Sequence, residues 1–405
     1  MVGSQRFPIP LIALMIISLL GCCMELDISI PSFPGIMTYF GANEVQVQST
    51  LSLNFFAVCL SGLFYGPLSE AWGRKGLMLF GATCFLVGAL GCVFSATIYQ
   101  LMFWRFIQGL GASSAMVLSF AMISDRYQGD VAASYIGKLN AYLTIFMSAA
   151  PIIGSLLIFY FTWQANFIAI AIIALIGWAL LMLGLPETKP QKAPLKLNSV
   201  FKDYWQIITH QKFILYAWMP SFLVTAYLTF VGNASFYYMN SCQLPANIFA
   251  IHQGFVVGSF SLMSFFANKV IQRLGGEKAV LCAMYLCAGA AIMLLFCAFY
   301  FPYEPLLITI AMCLFAIGCA FPMCVTFAES LEVLPNLKGT CSAFIMSSRL
   351  LASSLAICLT GLYFDGTMKP VAGVIGGCIF LSLILYMMIV KSKLREPATF
   401  ANEAG

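Results

Sequence analysis

The sequence predicts an all-α membrane protein, with twelve transmembrane helices in two six-helix halves. Three observations lead there. Of 405 residues, 61% are hydrophobic and only 9% are charged, with a mean hydropathy of +0.93; soluble domains carry about 25% charged residues. Apolar runs of about twenty residues, long enough to cross a bilayer, recur at close intervals. Of 20 Lys and Arg residues, Arg105 and Arg349 fall inside apolar runs and Lys369 lies on the outer side. The rest collect on one side if both termini are cytoplasmic, a bias that an odd number of spans would scramble.

In chain order the expected spans are 8–37, 46–68, 77–96, 100–123, 135–159, 165–185, 213–239, 248–268, 279–301, 305–328, 339–362 and 371–390. The first resembles a signal peptide for a few residues, but no small-x-small cleavage site follows it, so it reads as a span. Residues 1–185 form the first half. Residues 186–212 form a cytoplasmic linker carrying Glu187, Lys189, Lys192, Lys196, Lys202 and Asp203. Its charge, its prolines and the Trp205 region predict a helix lying on the membrane surface. Residues 213–391 form the second half, and 392–405 a cytoplasmic tail. The loops after spans 2 and 8 (69–75 and 269–278) are both tight, basic and glycine-containing, as a parallel repeat about the membrane normal would produce.

Composition narrows the function. The net charge of +5 follows topology and does not point to nucleic acid. The fifteen cysteines lie mostly in apolar runs without a CxxC pair, so they read as small buried hydrophobes, not as a disulfide framework. Only His210 and His252 could serve as histidine ligands or bases, and no HExxH, GxSxG or phosphate-loop pattern occurs. The expectation is a non-enzyme without metal or cofactor: a monomer in the lipid bilayer that handles a small molecule.

Charge inside the spans marks the chemistry. Glu25 and Asp27 sit in the first span, where each carboxylate costs about 2.5 kcal/mol or more and by default marks a transport path or proton relay. Asp27, Pro31 and Pro34 share a helix face, and the prolines free carbonyls beside the acid. In span 4, Arg105 and Gln108 share a face and Gly109 permits close packing. A buried guanidinium needs a partner, and Asp27 is the expected one. Such a pair is either a protonation switch, set by the balance of charge and desolvation, or a static tie between spans 1 and 4. Arg349, near the middle of span 11, either binds an anionic substrate or neutralises Glu25 or Asp27. Asn54, Gln108, Asn140, Tyr142, Ser221, Thr225, Tyr227, Thr229, Asn233 and Tyr237 are candidate cavity residues, though each taken alone is more often a helix–helix hydrogen bond than a ligand contact. His252, near the outer start of span 8, reads as a solvated or satisfied side chain.

The loop Gly66-Pro67-Leu68-Ser69-Glu70-Ala71-Trp72-Gly73-Arg74-Lys75 combines turn glycines with an acid and bases at helix ends. Arg74 is expected to pair with Asp125 as a conformational latch. This loop resembles the signature G-x-L-(A/S)-D-x-x-G-R-(K/R) of the major facilitator superfamily, with Glu70 for the usual Asp and Ala71 for a common Arg. Arg105-Phe106-Ile107-Gln108-Gly109-Leu110-Gly111 resembles the R-x-x-Q-G-x-(G/A) motif of its proton-coupled exporters. Asp27…Pro31…Pro34 is similar to the first-span pattern of the bicyclomycin/chloramphenicol-resistance (Bcr/CflA) group of drug:proton antiporters. Gly318, Pro322, Pro335, Gly339, Ser342-Ala343 and Pro186-Glu187-Thr188 agree with it. Span 5 departs: Pro151 and Gly154 of its hinge motif remain, but the second Pro has become Ser155 and the Gly pair Ile158-Phe159.

The resemblance implies the major facilitator fold, alternating access and proton-coupled export of drugs or small metabolites; the short loops and the lack of a targeting signal point to a bacterial inner membrane. Protons are the coupling ion. It casts Asp27 as proton carrier, tuned by Arg105, with Glu25 and Arg349 shaping the site. The alternative is a specific exporter or importer of an anionic metabolite or siderophore on the same scaffold, favoured by Arg349 and the altered span 5.

Overall fold

A computed structural model describes residues 10–127, 129–189 and 197–402. The apolar runs form helices throughout. In order they are α1 (Leu11–Ser29), a 3-10 turn (Ile30–Ser32), α2 (Phe33–Phe40), α3 (Glu44–Trp72), α4 (Arg74–Val93), α5 (Ile98–Arg126), α6 (Gly129–Tyr160) and α7 (Gln164–Gly184). After α8 (Leu197–Thr209) come α9 (Gln211–Ser235), a π turn (Phe236–Ser241), α10 (Ala246–Leu274), α11 (Gly276–Tyr300), α12 (Pro305–Val333), α13 (Lys338–Leu362) and α14 (Lys369–Asn402).

Among the described residues, eleven segments are long and apolar enough to cross a bilayer, taking α1–α2 as one and α9 with its π turn as another. The twelfth expected span falls on α6, which contributes the apolar run Ile145–Tyr160. The first span also departs from a straight helix. Pro31 and Pro34 lack the N–H that continues the ladder, so α1 ends at Ser29 and α2 restarts at Phe33. Gly41, at φ +59°, then closes α2.

Helix ends follow from local chemistry. At α3, Asn43 Oδ1 accepts from Gln46 N at 2.9 Å and Gln46 Oε1 accepts from Asn43 N at 3.0 Å, a reciprocal cap. His210 Nδ1 caps α9 by accepting from Phe213 N at 3.2 Å. The turns Gly73 (φ 101°, ψ 149°) and Gly275 (φ 83°, ψ 148°) share one backbone shape. Each glycine N–H donates to the carbonyl four residues back, in a conformation that a Cβ would strain.

Packing falls into two sets. α1 lies on α6 and α7, α3 on α5, and α4 on α5 and α7; α9 lies on α12, α13 and α14, α11 on α12 and α14, and α10 on α12. The sets meet where α3 packs on α13 and α6 on α10. Without a hydrophobic drive between helices in lipid, close fit and interhelical hydrogen bonds hold such contacts. Phe80, Leu183, Phe265, Ile292 and Phe380 are exposed on the outside, as a lipid-facing surface requires. Helix α8 is amphipathic: Ile207 is buried with Phe213, Ala217, Cys341 and Ile345, whereas Phe201, Trp205 and Ile208 face outward.

Candidate functional site

The first buried charge cluster joins α1, α3 and α5. Arg105 and Glu25 are each 1% exposed and pair at 3.5 Å, Arg105 Nη1 to Glu25 Oε2. Arg105 Nη1 also donates to Gln108 Oε1 at 3.1 Å, and its Nη2 to Ser29 Oγ at 3.2 Å. Asn54 Nδ2 donates to Glu25 Oε1 at 3.3 Å and to the Arg105 carbonyl at 3.0 Å. The guanidinium lies 5.7 Å from the Phe167 ring centroid. The α3–α5 approach depends on Gly109, whose added Cβ would come within 2.5 Å of the Asn54 carbonyl oxygen.

The expected Asp27–Arg105 pair is not formed; Glu25 takes the place assigned to Asp27. Helix geometry explains the exchange. Two residues apart turns a side chain by about 200°, whereas Glu25 and Ser29, four apart, share a face. Both residues of that shared face contact Arg105, and this i,i+4 polar pair was a signal in the sequence. Asp27 points the other way. It is half-buried and makes no ion pair within 4 Å among the described residues. It lies in electrostatic reach of Tyr227 on α9, whose ring stacks on Phe260 of α10 at 5.9 Å. Beside it, Asn166 of α7, buried and not anticipated from the sequence, donates to the Ile28 carbonyl and to Ser32 Oγ, both at 2.7 Å.

Several expected cavity residues are instead helix ties. Asn233 Oδ1 accepts from Gln48 Nε2 at 2.7 Å, and Asn233 Nδ2 donates to Thr360 Oγ1 at 2.9 Å and to the Thr229 carbonyl at 2.8 Å. Ser354 Oγ donates to the Ser52 carbonyl at 2.8 Å. These bonds clamp α3 to α9 and α13. Tyr237 is fully buried, edge-on to Tyr238 at 5.2 Å. Ser221 is turned to its own helix, on the Ala217 carbonyl at 2.6 Å. Tyr142 is 42% exposed on α6 against Phe146, apart from the charge cluster; the side chain of Asn140 lies outside the described residues. His252 Nδ1 is satisfied by Thr309 Oγ1 at 2.7 Å. Arg349 is 7% exposed and makes no ion pair within 4 Å with Glu25 or Asp27.

At the end carrying the α3–α4 loop, Arg74 Nε donates to Asp125 Oδ2 at 2.9 Å. Its Nη2 reaches Glu70 Oε1 at 3.8 Å, and its Nη1 donates to Ser69 Oγ. The unanticipated member is Glu187. Its carboxylate accepts from Arg74 N at 3.0 Å and Lys75 N at 3.3 Å, satisfying the open N-terminus of α4 with the charge its dipole favours. Lys189 Nζ adds a 3.5 Å contact to Glu70. Lys75 therefore joins through its backbone. Gly66 does not mediate close helix approach, since a Cβ there meets nothing within 4 Å.

Pro151 lies within α6. Gly154, one turn on, presses against α1, where an added Cβ would sit 2.3 Å from the Ile28 carbonyl oxygen. Gly154→Ala is expected to lower stability by about 1–3 kcal/mol. Gly66→Ala, mid-helix and unobstructed, is expected to be neutral or stabilising by up to about 1 kcal/mol. Melting of the purified variants in detergent checks both; equal midpoints contradict the α1–α6 contact.

Among the described residues no cluster of three or more His, Cys, Asp or Glu could hold a metal ion. A family model described as Major Facilitator Superfamily matches residues 15–357. The chain is 25% identical over 382 residues to a bicyclomycin resistance protein homolog of Haemophilus influenzae, covering 91% of this chain and 93% of that one. It is 22% identical to the multidrug resistance protein MdtL of Klebsiella pneumoniae, covering 92% and 93%. The crystal structure of a D-xylose-proton symporter superposes with a TM-score of 0.70 at 14% identity, covering 93% and 97%, a likeness of fold.

Proposed function

This chain belongs to the Major Facilitator Superfamily of membrane transporters, and from that premise we propose that it is a proton-coupled exporter of drugs or small metabolites. It works by alternating access as a monomer. The reading takes α1–α7 and α9–α14 as two six-span halves, with α6 as the twelfth span and α8 on the membrane surface between them. The two packing sets and the matching Gly73 and Gly275 turns support it. The Lys and Arg distribution supports cytoplasmic termini, and the bacterial relatives support an inner membrane.

The observation that carries coupling is the contrast within one turn of α1. Glu25 is sealed against Arg105, while Asp27 is half-buried and unpaired on the opposite face. A coupling carboxyl must be able to load and release its proton, and Asp27, less buried than Glu25 and without an ion-pair partner among the described residues, is the better placed of the two. Glu25–Arg105 braces α1 against α3 and α5, so a change of charge at Asp27 bears on a helix that is otherwise fixed. The Gln48–Asn233 and Ser52–Ser354 bonds between the halves are the contacts that must break when the bundle opens on that side. The Arg74–Asp125–Glu187 cluster would hold the inner ends of one half together as it moves.

Accumulation measurements in cells with and without the gene test the reading, using a panel of lipophilic cations, neutral antibiotics and carboxylates. At least one compound class is expected to accumulate less with the protein present, and a protonophore is expected to restore it. No difference for any class, or a difference that the protonophore leaves untouched, overturns the proposal.

A further inference from the structure

The buried arginines differ in their partners. Arg74 has Asp125 and Glu70, and Arg105 has Glu25. Arg349 is 7% exposed, yet its Nε has no hydrogen-bond partner. Its Nη1 reaches only the Met346 thioether, at 3.9 Å, a weak acceptor. A guanidinium out of water without an anion is costly unless something supplies one. Snorkelling does not explain it, because a head at the bilayer edge would be exposed. Internal neutralisation does not either: Glu25 is committed to Arg105, and no ion pair joins Arg349 to Asp27.

Polar groups lie on the same stretch of α13 and on α9. Ser353, four residues on and so on the same face of α13, donates from Oγ to the Arg349 carbonyl at 2.8 Å and lies 3.5 Å from Thr225 Oγ1 on α9. Both hydroxyls are buried. Leu350 packs against both large apolar cores, so this part of α13 faces the middle of the bundle. We propose that Arg349 is an anion subsite and that the transported compounds include amphipathic monoanions whose carboxylate it holds. A carboxylate fits the planar donor fork. One guanidinium balances one negative charge; a dianion would leave net charge in a low-dielectric site. The inference rests on the transporter reading, because it places Arg349 on the substrate path.

The test uses the full chain in phosphatidylcholine vesicles, which contain no anionic headgroups, with dansylglycine and its uncharged amide as probes. Binding is read from dansyl fluorescence. Wild type is expected to prefer the carboxylate by about tenfold or more, the scale of a hydrogen bond to a charged group. Arg349→Gln is expected to bring the ratio to about one, and Arg349→Lys to keep part of it. Equal affinities in wild type, or an undiminished ratio in R349Q, overturn the subsite. Should R349Q fail to run as a monodisperse peak, an undiminished ratio in R349K counts against it instead. Gradient-driven transport in the same vesicles separates the two readings. Transport without carboxylate preference removes only the anion subsite. Carboxylate preference without any gradient-driven transport removes the transporter reading and leaves the binding site.

Discussion

Asp27→Asn is expected to abolish uphill, proton-driven export while the protein still folds and still exchanges substrate down its gradient. Asparagine keeps the size and hydrogen-bonding capacity of the side chain but carries no exchangeable charge. A gradient biases a conformational cycle only through a group that binds the ion differently in its two states, so removing that group should cut driven transport by about a hundredfold, to background. Folding should survive because Asp27 forms no hydrogen bond or ion pair among the described residues. Two readouts in reconstituted vesicles check this: accumulation driven by an imposed pH difference, and counterflow of labelled substrate without one. Loss of the first with retention of the second is the expected result. Full proton-driven transport in D27N would remove Asp27 from the coupling role. Loss of both readouts in a folded protein would make it a substrate ligand instead.

The membrane class and the long apolar helices were legible in the sequence, because length and hydropathy are local properties that a bilayer reads directly. The Arg74–Asp125 pair was legible too, since a signature loop and the end of the fourth span bring the two together. Partner choice between spans was not. Asp27 was the expected mate for Arg105, and the rotation of α1 about its axis gives that place to Glu25 instead. That rotation depends on Gly154 against Ile28 and on Asn166 reaching the Ile28 carbonyl, contacts more than a hundred residues apart in the chain. Asn233 illustrates a second limit. A polar residue in a span serves equally well as ligand contact or helix tie, and Gln48 and Thr360 settle the matter only once α3, α9 and α13 are in place. Glu187 shows the same problem at the surface: its motif marked the end of a span, while its function as the cap of α4 depends on where the chain returns.

Removing one member of the Glu25–Arg105 pair is expected to do more damage than removing both. In Arg105→Gln the Glu25 carboxylate keeps only Asn54 Nδ2 as a donor. In Glu25→Gln the guanidinium keeps only the neutral acceptors Gln108 and Ser29. Either single change leaves a charge buried without its counter-charge, which costs about 3–5 kcal/mol. Replacing both leaves a network of neutral amides in the same volume, and exchanging a buried ion pair for neutral groups is often nearly free. The double variant should therefore melt above both singles, with a coupling energy of about 2 kcal/mol or more. Its transport should stay impaired if the pair also steadies α1 for the cycle at Asp27. Melting in detergent measures the first effect and gradient-driven efflux the second. Additive destabilisation would show that the two charges do not depend on each other. Restored stability with fully restored transport would reduce the pair to a structural tie, leaving Asp27 to couple alone.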